Sequence, residues 1–359
     1  MSYILSIGAT NPPYSYSQTK TKQFVHELFH SKYPKIERLL SVFENAQIHE
    51  RYFSAPIEWF QQDHSFAEKN ARYVELAIEL GSAAIQKALN VHSIRYEDID
   101  GIYFISTTGI STPSIEAKIM NRLPFHKHVK RIPIWGLGCA GGAAGLARAN
   151  EYCKAYPDAN VLVLCVELCS LTFQKEDISK SNIIGTSLFA DGVAACLVCG
   201  EQSKLLERAK QNVLPKIIDH QSTFMPDSED VMGWNVKDTG LHVIFSKDIP
   251  TIIKNWLKPN MESFLQEHRL SIQDITHWIA HPGGKKVLDA YLEALELPNE
   301  KLRHSAHILK HFGNMSSVTV LFVLNEILKR TVNENEYGLL FALGPGFSSE
   351  CVLLRWMAV

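Results

Sequence analysis

Three polar residues, each beside a glycine-marked turn, are of types that support nucleophilic chemistry. The first is Cys139, within Ile132-Pro133-Ile134-Trp135-Gly136-Leu137-Gly138-Cys139-Ala140-Gly141-Gly142. An apolar strand runs into a sharp turn, and Ala143-Ala144-Gly145 continues into a helix of small residues. Cys139 falls at that helix's N-terminus, where unpaired N–H groups and the positive end of the dipole favour a thiolate. A buried structural cysteine satisfies the same pattern equally well. The second is His281, which ends the apolar run Trp278-Ile279-Ala280 and precedes Pro282-Gly283-Gly284. Strand tips are where α/β sites gather, although a histidine there also serves structure. The third is Asn314, in His311-Phe312-Gly313-Asn314-Met315-Ser316-Ser317. Alone it reads as a turn residue, with a serine free to cap the helix that follows.

A cysteine, a histidine and an asparagine in that order are jointly more specific than any one of them. Papain-like proteases use the same trio, but their cysteine lies near the mature N-terminus, unlike Cys139. Other signals are weaker. Gly136-x-Gly138-x-x-Gly141 matches the dinucleotide fingerprint, but it sits mid-chain without the expected second strand and acidic residue. Cys196-x-x-Cys199 lies in a buried strand pattern with no second cysteine pair to complete a zinc site. His304, His307 and His311 share a helical face between Arg303 and Lys310, which reads as solvated surface. No metal site is expected.

Alternating strands and helices must position these residues. Gly101–Ser106, Val161–Val166, Thr276–Ala280 and Leu339–Leu343 read as buried strands, and Met1–Gly8 as a first strand. Helical stretches cover Ala71–Leu89, Ala143–Ala155, Lys285–Leu295 and Ser317–Lys329. Such alternation predicts an α/β fold. The polar segment Gly200–Gln211 divides two halves, residues 1–205 carrying the cysteine and 206–359 carrying the histidine and asparagine. Each half contains an apolar strand, a glycine-rich turn and a helix. At 359 residues, 46% hydrophobic and 21% charged, the chain can bury a large core without disulfide or metal staples. Its 36 basic and 38 acidic residues leave a net charge of −2, which argues against nucleic-acid binding. No apolar run approaches the length of a membrane span, and seven cysteines without a signal segment point to a cytoplasmic protein with reduced thiols.

The chain resembles type III polyketide synthases, the chalcone synthase-like branch of the thiolase superfamily. The resemblance spans nearly the whole sequence and rests on eight ordered blocks. They are Gly138-Cys139-Ala140-Gly141-Gly142, Leu188-Phe189-Ala190-Asp191-Gly192, Pro226-Asp227-Ser228-Glu229, Gly240-Leu241, Lys247-Asp248-Ile249-Pro250, His281-Pro282-Gly283-Gly284, Gly313-Asn314-Met315-Ser316-Ser317 and Gly344-Pro345-Gly346. It implies a thiolase fold, five layers αβαβα built from two similar halves, in a homodimer. It implies that Cys139 takes an acyl group from coenzyme A and holds it as a thioester. His281 and Asn314 would bind the malonyl-CoA thioester carbonyl as carbon dioxide leaves, with no metal or redox cofactor. A nearby His281 would also help hold Cys139 as a thiolate. Phe189 matches a gatekeeping phenylalanine. Lys35 and Arg38 match a basic pair for the coenzyme A phosphates, to which Lys285 and Lys286 could add.

Departures from the plant members concern the cavity. A second gatekeeping phenylalanine aligns with Val243, cavity threonines with Thr107 and Cys169, a cavity-shaping glycine with Trp234, and a residue crossing the dimer with Thr112. These resemble bacterial members that extend fatty acyl-CoA starters into alkylpyrones or alkylresorcinols. The alternatives are a chalcone-like enzyme with an aromatic starter and a ketoacyl-carrier-protein synthase III. The histidine and asparagine motifs of the latter usually read His-Gln-Ala-Asn and Asn-Thr-Ser.

Overall fold

The computed structural model describes residues 1–31, 33, 36–246 and 249–359. Its strands are β1 (Ser2–Thr10), β2 (Tyr14–Ser17), β3 (Glu50–Phe53), β4 (Gly101–Ile105), β5 (Lys130–Ile134), β6 (Asn160–Leu168), β7 (Asp191–Gly200), β8 (Val213–Phe224), β9 (Met232–Lys237), β10 (Gly240–Phe245), β11 (Ile275–Ala280), β12 (Tyr337–Gly344) and β13 (Ser348–Ala358). Among the described residues nine of these form one sheet, in the order β11-β12-β13-β8-β1-β7-β6-β4-β5. The strands with continuous apolar runs, β4, β6 and β7, are buried throughout because helices cover both faces. β4 runs parallel to β5 and β6, and β11 parallel to β12. The two halves of the sheet meet where β1 pairs with β8 at Ser2–Ile217 and Tyr3–Lys216.

Five layers follow from where the apolar side chains go. Helices Gly141–Ala155 and Thr319–Leu328 form the middle layer. Ala143, Leu146, Val320 and Leu324 pack with Tyr103 and Val163 of one half and with Ile279, Leu340 and Val352 of the other. Helix Phe66–Asn90 covers the outer face of Ile102, Leu164 and Leu197. Helices Lys258–Glu267 and Lys285–Ala294 cover the outer face of Trp278, Phe341 and Leu353. This is the αβαβα thiolase arrangement expected from the sequence.

The small residues after Cys139 let the middle helix lie that deep. A Cβ at Gly142 would run into the Ser317 carbonyl oxygen and come within 2.9 Å of Val320. Gly142→Ala is therefore expected to cost on the order of 1–3 kcal/mol, as overpacking does, read as a lowered midpoint in denaturant unfolding. An unchanged midpoint would show that the two inner helices have room to separate.

Sequence patterning left out the hairpin β9–β10 and the helices Gln18–Phe29 and Ile36–Asn45. His304, read as part of a solvated face, is buried, with its imidazole pushed down to about 4 mainly by that burial. The His307 and His311 rings lie nearer the surface, tilted against each other at 4.7 Å. Among the described residues no group of three His, Cys, Asp or Glu could hold a metal ion, and no helix is long and apolar enough to cross a membrane.

Candidate active site

Cys139 sits in a single turn of 3₁₀-helix, Gly138–Ala140, that runs directly into helix Gly141–Ala155. Gly138 adopts φ +49°, a left-handed conformation that favours glycine and aims the cysteine inward. The Gly138 N–H donates to Thr107 Oγ1 at 3.1 Å. Thr107 thus holds the nucleophile turn and lines neither cavity described below, contrary to its expected place in the cavity wall. Behind it, Glu167 accepts from the Thr107 N–H, the Thr108 hydroxyl and the Ser317 hydroxyl, at 3.0, 2.9 and 2.6 Å. Burial lifts the Glu167 carboxyl to about 7, against the pull of those hydrogen bonds.

His281 follows β11, and its N–H donates to the Phe341 carbonyl of the neighbouring β12 at 2.9 Å. Asn314 is tied to the other half of the chain: its N–H donates to the Leu188 carbonyl, and its carbonyl accepts from the Ala190 N–H, each at 2.9 Å. Two blocks distant in sequence are thereby locked side by side. The Asn314 amide is oriented as well. Its Oδ1 accepts from the Ser316 N–H at 2.8 Å, so Nδ2 points the other way, donating one hydrogen to the Gly283 carbonyl at 3.1 Å and leaving a second. The Cys139 thiol is 4.0 Å from the same Oδ1.

Cys139, His281 and Asn314 line one cavity of about 770 Å³. All three are buried, whereas Arg38, Lys180 and Lys286, on the same cavity wall, are exposed. The cavity therefore runs from a dry polar centre to a cationic mouth. Arg38 and Lys286 both line this cavity, and Lys35 lies outside the described residues. Lys285 turns away to pair with Asp289. Lys180 escaped the sequence reading because it starts a separate helix, Lys180–Leu188, with no spacing relation to the other cations.

Burial pushes the Cys139 thiol up, to about 12, and the His281 imidazole down, to about 3. Burial thus opposes the thiolate that the helix N-terminus favours, and it opposes a charged imidazole as well. Moving the thiol proton to a nearby imidazole would create two opposite charges together, and such a pair is far less costly than either charge alone.

A second, narrow pocket of about 50 Å³ lies beyond Phe189 and brings together Phe189, Cys169, Trp234 and Val243. Trp234 and Val243 are cross-strand partners on β9 and β10, which explains their shared wall. Phe24, Phe53 and Phe60 extend the lining into an aromatic cluster. Phe189 itself is held from behind, since the buried Arg51 donates through Nη1 to the Thr186 and Phe189 carbonyls at 2.6 and 2.7 Å. The loss of an aromatic at Val243 does not leave Phe189 alone, because Phe245 stacks on it at 5.5 Å. Phe245 shares a strand face with Val243, so alternation along β10 was the signal available for it.

Comparisons with known proteins agree with this geometry. Residues 1–202 match the model for the N-terminal domain of chalcone and stilbene synthases, and residues 216–358 match that for the C-terminal domain. A Bacillus subtilis (strain 168) protein provisionally named chalcone synthase is 53% identical over 362 residues, covering 99% of each chain. The 1,3,6,8-tetrahydroxynaphthalene synthase of Streptomyces peucetius subsp. caesius is 34% identical, over 98% of this chain and 93% of that one. The crystal structure of 1,3,6,8-tetrahydroxynaphthalene synthase from Streptomyces coelicolor A3(2), a bacterial type III polyketide synthase, superposes with a TM-score of 0.92 at 30% identity. It covers 99% of this chain and 100% of that one. The chain belongs to the chalcone and stilbene synthase family of type III polyketide synthases, which are acyltransferase-type condensing enzymes.

Proposed function

We propose that this enzyme extends a fatty acyl-CoA starter with malonyl-CoA and releases alkylpyrones or alkylresorcinol-type products. In this scheme the Cys139 sulfur attacks the starter thioester, coenzyme A leaves as its thiol, and the acyl group stays on Cys139. Malonyl-CoA enters through the mouth marked by Arg38, Lys180 and Lys286, which suit its phosphates. Loss of carbon dioxide leaves an enolate whose oxygen accepts hydrogen bonds from His281 and from the second Asn314 Nδ2 hydrogen. The enolate carbon attacks the Cys139 thioester, expels the thiolate, and gives a longer β-ketoacyl-CoA. Nothing in these steps calls for a metal or redox cofactor. Seven free cysteines suit a cytoplasmic setting. A homodimer would cover the edge strand β5, where Ile132, Trp135 and nearby Ile110 are 40%, 50% and 47% exposed.

The observation that carries the starter assignment is the narrow aromatic pocket beyond Phe189. A polymethylene chain is thinner than a substituted ring, so a small pocket of about 50 Å³ with an aromatic lining favours the chain. Each buried methylene contributes roughly 0.8 kcal/mol, less the entropy of ordering the chain. Trp234 limits depth, which favours two or three condensations. The relatives named 1,3,6,8-tetrahydroxynaphthalene synthases support a second reading, with a polyhydroxylated aromatic product. The test is a panel of acyl-CoA starters with malonyl-CoA, products identified by mass spectrometry. Long-chain acyl-CoA is expected to exceed an aromatic acyl-CoA in kcat/KM by about tenfold or more, the scale of a few buried methylenes. An aromatic starter winning by that margin, or full product from malonyl-CoA alone, overturns the assignment.

A further inference from the structure

We propose that the Tyr291 hydroxyl is a third hydrogen-bond donor to the substrate carbonyl held at the Cys139, His281 and Asn314 centre. The proposal rests on the condensing role given above and assigns a further residue to it. Of the buried side-chain polar atoms that lack a hydrogen-bond partner among the described residues, three belong to side chains lining the catalytic cavity. They are the two ring nitrogens of His281 and the hydroxyl of Tyr291. A buried tyrosine hydroxyl normally finds a partner, because leaving it unpaired costs the full desolvation of the group. Phenylalanine would avoid that cost here and keep the ring's edge-on packing against Phe341, at 5.0 Å. The hydroxyl is therefore explained by a partner that enters the cavity from outside.

Its placement selects which part of the substrate that is. Tyr291 lies on helix Lys285–Ala294, the helix opened by the His281-Pro282-Gly283-Gly284 turn. Its ring rests on Phe341, the residue whose carbonyl accepts the His281 N–H. One residue of β12 thus anchors both the His281 backbone and the Tyr291 ring. Tyr291 is fully buried, whereas the cations suited to phosphate are exposed at the mouth, so the hydroxyl belongs to the acyl end of the substrate. Burial raises its pKa, which keeps the proton on oxygen and the group a donor. No proton is transferred: the hydroxyl shares the charge that builds on the thioester oxygen as carbon dioxide departs.

The test is Tyr291→Phe in the full enzyme, with malonyl-CoA decarboxylation and condensation both followed. A donor to the developing enolate predicts kcat lower by at least about 10-fold, with KM for malonyl-CoA changed by less than about threefold. It also predicts an unfolding midpoint equal to or above that of the unsubstituted protein, since an unpaired buried hydroxyl is removed. Unchanged kcat, an effect on KM alone, or an activity loss that tracks a lowered midpoint would each overturn the proposal. The unsubstituted enzyme run alongside separates the two readings: if it does not decarboxylate malonyl-CoA, the condensing role fails, and if it does while Tyr291→Phe matches it, only the role of Tyr291 fails.

Discussion

Cys139→Ala is expected to abolish acyl loading and polyketide formation while the protein stays folded. The substitution removes only a sulfur from a site walled by Gly138, Asn314 and Ser316, so the cavity it leaves is small and the packing of the middle helix is untouched. No second thiol can take over. Cys169, the other cysteine near the gate, lines the inner pocket instead, and burial holds its thiol well above the ordinary range. The donors His281 and Asn314 remain in place, so the variant should still decarboxylate malonyl-CoA without extending anything. Intact-protein mass spectrometry after incubation with an acyl-CoA checks the first half and carbon dioxide release the second. Product at the unsubstituted yield would remove Cys139 from the mechanism.

Loss of a donor to the enolate oxygen should be nearly as damaging. His281→Ala or Asn314→Ala is expected to slow decarboxylation by roughly 100-fold or more, the scale for removing one oxyanion-hole donor. Asn314→Asp is the sharper probe. It keeps the oxygen that receives the Ser316 N–H, but it replaces the free amide hydrogen with a carboxylate oxygen beside the developing enolate. It should therefore fall at least as far as the alanine variant. The pH profile adds an independent check. Because burial lowers the His281 pKa to about 3, the ring gains a proton only well below the usual range, so the rate should show no inflection near 6.5 from this residue. A variant that decarboxylates at the unsubstituted rate would excuse that residue from the chemistry.

What could be read from the sequence was whatever is encoded locally. Cys139 and His281 stand at glycine turns after strands and Asn314 at a glycine turn after a helix, and those patterns survive without knowledge of neighbours. The convergence of the three does not: it depends on Asn314 pairing with Leu188 and Ala190 across the two halves. Glu167 had a visible signal, a lone charge inside the apolar run of β6, yet its partners Thr108 and Ser317 come from distant segments. Tyr291 had none, since an aromatic on an amphipathic helix reads as core. The burial that opposes a thiolate at Cys139 could not be read, because a helix terminus is written in local spacing, whereas burial is a property of the whole fold. Thr107 was misplaced for a similar reason: an aligned position says which residue stands there, not which way its hydroxyl turns.

The central place of β1 also has a temporal side. Its two neighbours in the sheet are β7, which begins at Asp191, and β8, which begins at Val213. At ordinary elongation rates that gap lasts on the order of ten seconds or more during synthesis. Throughout it, Tyr3, Ile4, Leu5 and Ile7 have neither strand to pair with, and pairing so distant in sequence is slow even once the partners exist. The speed of the ribosome, and not only the stability of the finished fold, thus sets how long this chain carries an aggregation-prone edge.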